Sequence, residues 1–450
     1  MNFDRELDAR KGELIESLQE LIRIKSVGEE AGAHPFGDGP HACLMACLAL
    51  GERLGFRTAS VDDMAGYVEF GTGEEMVAVL GHLDVVPEGD GWKYPPYGAV
   101  IENGRLYGRG AVDDKGPTVA ALYALRAIAD SGLPLSRRIR VIFGLNEEKG
   151  SLCIKHYVEK GEELPVMGFT PDGEYPIING EKGIVTATFS RRLGSTGDRR
   201  IAAFSAGIAS NVVPEFAAAQ LTFGVEGTLP EKVAANGTSV EARGVNAHGS
   251  TPELGENAIG RLLIALDGLG LSGDHGEAVH FLAEHIGMET RGKGLGIALS
   301  DEISGDLTLN LGVANFSENT LSVTINIRYP VTRKLEEFYP ALVAKMAEGG
   351  FAETALSHKK ALYMPPESEL IRCLAKVYEE QMGEPARLIS MGGGTYAKAM
   401  PNTVAFGPIF PGDEAGNGDL GPGGGQRITD PVDGKNHLID TDALGTDGAA

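Results

Sequence analysis

Residues 76–84 read MVAVLGHLD, a short apolar run that ends in a histidine and an acid. Two further runs end the same way: IRVIFGL at 139–145 runs into Asn146-Glu147-Glu148, and VMGFT at 166–170 runs into Pro171-Asp172. Helix-like stretches alternate with them, Thr118–Ala129 (TVAALYALRAIA) and Gly150–Lys160. Strands alternating with helices imply an α/β domain, a mostly parallel sheet with helices over its faces. Ligands of such sheets bind at the carboxyl ends of the strands. If the three runs are neighbours, His82, Asp84, Glu147, Glu148 and Asp172 converge on one edge. Asp113 and Asp114, in YGRGAVDDKGP (107–117), stand in a tight turn before a helix. One histidine among several carboxylates suits a divalent metal, and mixed nitrogen and oxygen ligands favour zinc or a similar ion. Each signal alone has a plainer reading. A single His-x-Asp is commonplace, Asp113–Asp114 could cap the helix that follows, and Asp172–Gly173 could be a turn. Four such signals in order at strand ends are much harder to dismiss.

Outward from this segment the texture changes near Gly183. IVTATFSRR (184–192), EFAAAQLTFGV (215–225) and SVEARGV (239–245) alternate like half-exposed antiparallel strands, and a helical stretch covers Asn257–Leu271. Strand alternation returns at Leu307–Val313 and Thr320–Tyr329. Helix and strand signals resume at Ser368–Gln381 and Thr403–Gly407. The expected organisation is an α/β domain in two segments, 1–182 and 359–414, interrupted by an inserted α+β domain at 183–358. From residue 415 a glycine-rich tail, including GNGDLGPGGGQ, has no apolar periodicity and is expected to be poorly ordered.

The 450 residues are 42% apolar and 23% charged, a globular balance sufficient for a sizeable core. Forty basic against 63 acidic side chains give a net charge of −23. So acidic a surface repels nucleic-acid phosphates and anionic lipid, so neither is an expected partner. Four cysteines, none in a CxxC pair, are too few for a disulfide scaffold and fit a reducing cytoplasm. Cys43 and Cys47 lie four apart in an apolar helix-like run and read as core. Leu7, Leu14, Leu18, Leu21 and Ile22 recur at helical spacing in a charged N-terminal stretch that lacks the apolar run of a signal peptide. No run reaches the ~18 apolar residues of a membrane span.

GHLDVVPEGDGW (81–92), YGRGAVDDKGP, NEEKGS (146–151) and TPDGEYP (170–176) together resemble the signatures of the di-zinc metallopeptidases that include carboxypeptidase G and succinyl-diaminopimelate desuccinylase. GGGTYAKAMPN (392–402) and FGPIFPGDE (406–414) narrow the resemblance to the PepV-type dipeptidases, over about residues 10–414. The resemblance implies two zinc ions, with manganese or cobalt as alternatives. His82 and Asp172 would ligate one ion, Glu148 the other, and Asp113 would bridge them. Asp84 would hydrogen-bond the His82 imidazole, and Glu147 would act as general base. In the insert, His248 (VNAHGSTPELGENA, 245–258) matches the histidine that stabilises the oxyanion, and lid closure would bring it to the metals. Asn211 (SNVVPE) and Arg328 (INIRYP) match substrate-positioning residues, Arg328 gripping a free carboxylate, with backbone donors from Gly393 and Gly394. Outside that resemblance, a lone loop histidine is more often a surface residue, and an arginine at a strand end more often pairs with a local acid. The implied function is hydrolysis of dipeptides or short peptides with a free C-terminus, by a monomer whose enlarged lid fills the place of a dimer partner. The competing readings are an N-acyl amino acid deacylase or desuccinylase on the same scaffold, and a metal-impaired peptide-binding protein.

One departure bears on activity. The PepV-type pattern places a histidine ligand of the second zinc, then a closing helix, soon after FPGxE; here Glu414 runs into the glycine-rich tail. The only later histidine, His437, lies in KNHLID without the expected context. A frameshifted C-terminus would produce this appearance, and another reading frame of the DNA should then restore the missing histidine. As written, the second ion keeps Asp113 and Glu148 and is expected to bind weakly.

Overall fold

The protein is described here from a computed structural model, which covers residues 3–30, 32–194, 196–410 and 439–440. Glu414, His437 and all of the tail but Ile439–Asp440 lie outside the described residues. The chain forms two compact units. One comprises Met1–Asn179, Met364–Ile389 and the residues from Gly394 onward; the other comprises Gly180–Tyr363 and Ser390–Gly393.

The first unit is built on one sheet. Its strands run in the spatial order Arg57–Val61, Ala65–Phe70, Arg138–Gly144, Met76–His82, Met167–Thr170, Thr403–Ala405, Ile177–Glu181. The centre is parallel: Met76–His82 pairs with Arg138–Gly144 on one side and Met167–Thr170 on the other, and Thr403–Ala405 extends the parallel set. Antiparallel pairings flank it, through Ala65–Phe70 and Ile177–Glu181. The three runs read from sequence are therefore adjacent, co-directional strands.

Helices cover this sheet for the reasons their sequences suggest. In Phe3–Ile22 the leucine spacing buries Leu14, Leu18, Leu21 and Ile22. Asp38–Arg53 buries Cys43, Leu44 and Cys47, so both cysteines are core residues. The helix expected at Thr118–Ala129 spans Lys115–Ser131. Pro117 falls in its first turn, where proline costs no hydrogen bond, and Gly132 ends it in the left-handed conformation at φ 64°.

The second unit is an eight-stranded antiparallel sheet. Its long strands Gly183–Arg192, Thr308–Ser317 and Thr320–Tyr329 pair antiparallel, the last two with a register shift between Leu311 and Val313. One face packs against helices Ala258–Asp267, Gly273–His285 and Tyr339–Glu348. The stretch expected to be one helix over Asn257–Leu271 stops at Asp267, and a separate helix starts at Gly273. Gly268, Gly270 and Gly273 explain the break, because glycine disfavours a continuing helix and the last two take positive φ.

Candidate metal centre

Because Met76–His82 lies between two parallel neighbours, the ends of three adjacent strands carry His82 and Asp84, Asn146-Glu147-Glu148, and Asp172. Asp113 comes from the turn before helix Lys115–Ser131. Ligand atoms of His82, Asp113 and Asp172 all lie within 4.8 Å of one another. His82 Nε2 stands 2.8 Å from Asp113 Oδ1 and 3.9 Å from Asp172 Oδ2.

The imidazole, 1% exposed, is fixed from behind. Its Nδ1 lies 2.9 Å from the main-chain oxygen of Asp84. A carbonyl can only accept, so Nδ1 carries the proton and Nε2 presents its lone pair to the carboxylates. Nε2 is out of line for a hydrogen bond with Asp113 and has none among the described residues. A buried ring nitrogen aimed at two carboxylates without a hydrogen bond fits a metal ligand. Tyr396 sets the ring's other boundary, edge-on at 6.0 Å between centroids.

The Asp84 carboxylate does something other than the expected work. Its Oδ1 lies 3.5 Å from the imidazole Nδ1, a longer contact than the one through its own carbonyl. Its two oxygens accept instead from the main-chain N–H groups of Glu147 and Glu148, at 3.1 and 3.2 Å. The strand end that bears His82 thus holds the Glu147–Glu148 turn of the neighbouring strand.

Asp114, unassigned from sequence, is a further support. It occupies the N-cap position of the following helix, but its side chain makes no cap bond there; Oδ2 accepts from the main-chain N–H of His82 at 3.0 Å. Gly81 permits this approach, since a Cβ there would stand 2.9 Å from Asp114 Oδ2 and 2.1 Å from Thr118 Oγ1. The sequence signal was the repeated aspartate itself, which reads equally well as a cap.

The electrostatics are those of crowded, buried carboxylates. Burial, and then the charge of Asp113, push the carboxyls of Glu148 and Asp172 well above the usual range. Asp114 is raised well above it too, by burial and by Asp113, against the opposing pull of His82. For His82, burial works against the charged form. The neighbouring carboxylates of Asp113, Asp84 and Asp172 outweigh it and raise the imidazole well above its ordinary value. Glu148 is near enough to Asp113 for their charges to oppose, but among the described residues at these strand ends His82, Asp113 and Asp172 alone form a close ligand group.

In the second unit, Val212–Val213 pairs with Ala247–His248, which places Asn211 beside the His248 turn; the Gly249 amide donates to the Asn211 carbonyl at 2.7 Å. The Ser250 amide donates to His248 Nδ1 at 3.2 Å, so the ring proton sits on Nε2. Burial, aided by the Arg328 charge, lowers the His248 pKa to about 4. Arg328 is buried and donates to Asn326 Oδ1 (2.9 Å) and to the Gly392 carbonyl (3.0 Å); burial lowers it to about 10. No local acid pairs with it among the described contacts. Asn310, also missed from sequence, holds the Asn211 loop through the carbonyls of Ser210 and Val212, at 2.9 and 2.8 Å. Gly393 falls in the second unit and Gly394 in the first.

The sequence profile of peptidase family M20/M25/M40 matches residues 78–419. A Bacillus subtilis (strain 168) protein named "Putative dipeptidase YtjP" is 40% identical over 440 residues, covering 92% of this chain and 93% of its own. The Beta-Ala-Xaa dipeptidase of Lactobacillus delbrueckii subsp. lactis is 34% identical over 428 residues, 90% of this chain and 91% of its own. Among solved structures, human carnosine dipeptidase 1 shares the fold, with a TM-score of 0.55 at 16% identity over 94% of each chain. No described helix is long and apolar enough to cross a membrane. The strand-end histidine and carboxylates, the family profile and the full-length relatives agree: the chain is a metallopeptidase of family M20/M25/M40.

Proposed function

We propose that this metallopeptidase is a dipeptidase, hydrolysing dipeptides or short peptides with a free C-terminus, and that it works as a cytoplasmic monomer with two zinc ions, the second held weakly. The observation that carries the reading is the convergence of His82, Asp113 and Asp172 beside the Glu147–Glu148 turn at the ends of adjacent parallel strands. The two long relatives with dipeptidase names support the substrate class. His82, Asp113 and Asp172 would hold one ion, and Asp113 with Glu148 the other. Bound divalent ions polarise a carbonyl and lower the pKa of a coordinated water.

The chain's own groups supply the remaining chemistry. Glu147 takes a proton from the attacking water and returns it to the leaving amine. Asp84 fixes the backbone on which Glu147 stands. His248, with its proton on Nε2, donates to the oxygen that gains charge as the carbonyl becomes tetrahedral. Arg328 and Asn211 hold the substrate, Arg328 through its terminal carboxylate.

Purified chain assayed on a dipeptide panel beside N-acyl amino acids, with Zn2+, Mn2+ or Co2+ and after chelation, tests this. Dipeptides should be turned over fastest, and chelation should abolish the rate. Glu147→Ala should lose at least ~10²–10⁴ of kcat with its metal content unchanged. Faster hydrolysis of N-acyl amino acids would replace the dipeptidase reading with a deacylase. Metal and peptide binding without turnover would replace it with a binding protein.

A further inference from the structure

A second group of metal-ligand side chains lies in the first unit, made of residues that the peptidase reading does not use. His34, His41 and Asp63 bring one ligand atom each within 4.8 Å of the others. His34 is in the loop before helix Asp38–Arg53, His41 in the first turn of that helix, and Asp63 in the turn between strands Arg57–Val61 and Ala65–Phe70. We propose that these three residues form an accessory site for a divalent transition-metal ion of the zinc type, separate from the catalytic ligands, which ties the His34 loop and the helix start to the strand turn.

Three observations carry it. First, both Nδ1 atoms face the same carboxylate oxygen, at 4.0 Å from His34 and 3.9 Å from His41 to Asp63 Oδ2. These distances are too long for hydrogen bonds, yet nearly right for three atoms sharing an ion at ~2.0–2.2 Å. Second, His41 Nδ1 is shut off from solvent and has no hydrogen-bond partner among the described residues. A buried imidazole nitrogen left unsatisfied is costly, and an ion would satisfy it. Third, Asp63 is pre-positioned. Ser60 Oγ donates to its Oδ1 at 3.0 Å and receives its amide at 3.2 Å, which leaves Oδ2 turned to the histidines.

The neighbouring Asp62 shows the contrast. Its carboxylate is taken by His156 Nε2 and Lys160 Nζ, both at 2.8 Å, whereas the Asp63 contacts to His34 and His41 are longer. Two imidazoles and one carboxylate select a borderline ion such as Zn2+ over Mg2+ or Ca2+, which prefer oxygen. The rings stack face to face, with centroids 3.5 Å apart and planes 6° from parallel. A nitrogen lone pair lies in its ring plane, so binding must tilt the rings out of the stack. With side chains 30% and 21% exposed, both have room to turn.

The test is zinc stoichiometry on the full chain, by equilibrium dialysis against micromolar Zn2+ followed by metal analysis. His34→Ala/His41→Ala should hold one equivalent fewer than the parent and hydrolyse its substrate at the same rate. His41→Gln, which keeps the bulk of the side chain, should show the same loss, and Asp62→Asn should show none. Zn2+ should also raise the Tm of the parent more than that of the double variant. Equal zinc content in parent and both histidine variants overturns the proposal, as does an equal loss in Asp62→Asn. Because the comparison is between variants outside the catalytic ligands, it stands whether or not the dipeptidase reading does.

Discussion

His248 shows how much a single side chain's surroundings decide. With Nδ1 accepting from the Ser250 amide and its pKa lowered to about 4, it stays a neutral donor through Nε2 across the physiological range. In the unfolded chain it would titrate near its ordinary value of 6.5. Below that pH the unfolded state binds more protons, so this residue costs stability as the pH falls from about 6.5 toward about 4. For catalysis the same shift means that His248 is not the group behind any loss of activity between pH 5 and 8. His248→Ala should lower kcat by ~10²–10³, the usual effect of removing one donor to a developing oxyanion. The shape of its pH–rate profile above pH 5 should match the parent's. A limb near 6.5 that vanishes in the variant would overturn the assignment. None of this was readable from VNAHGSTPELGENA, which shows a histidine but neither its burial nor its tautomer.

Lys115 makes the corresponding point for the helices. It begins Lys115–Ser131, is fully buried, and sends Nζ to the carbonyls of Leu21 (2.9 Å) and Ile24 (2.8 Å), at the end of Phe3–Ile22. The last carbonyls of a helix lack partners within it and favour a nearby cation. Burial lowers the lysine pKa, with the Cys43 and Asp84 charges opposing. Its bonds therefore join the N-terminal helix to the turn that carries Asp113. Lys115→Met should cost ~1–3 kcal/mol in denaturant unfolding by removing both bonds and leaving the Ile24 carbonyl without its lysine partner, the Leu21 carbonyl keeping the Ile24 amide. A variant as stable as its parent would show that the bonds contribute nothing. The helices themselves were legible, because leucine spacing and glycine stops are local signals. The antiparallel flanks of the sheet were not, since the order of strands is set by long-range packing.

The ionisable groups gathered at the strand ends link metal, proton and stability. Asp114, Glu148, Asp172 and His82 all have raised pKa values, so without metal the folded chain binds more protons than the unfolded one. Their contribution to stability is then present at low pH, below the ordinary carboxylate values of 3.8 and 4.5, and is lost as the pH rises through the folded values. A bound cation offsets the repulsion. Thermal unfolding of metal-free and Zn2+-loaded protein at pH 5, 6.5 and 8 should show a gap in Tm that widens with pH. A gap that is constant or narrows across that range would contradict this account of the site.

The repeated strand ends, the amphipathic helices, the change of texture near Gly183 and the histidine and acids that close the strands can all be read along the chain, because they are written in local periodicity and in the residues that end each run. Tertiary structure alone decided that the Met76–His82 strand lies between the other two, that Asp84 serves Glu147 and Glu148 through its carboxylate, and that Asp114 supports His82 rather than its own helix. It also brought His34 and His41 to Asp63. The physical reason is reach: a side chain's partner is whatever the packed backbone brings within about 3 Å, and that neighbour can be far away along the chain.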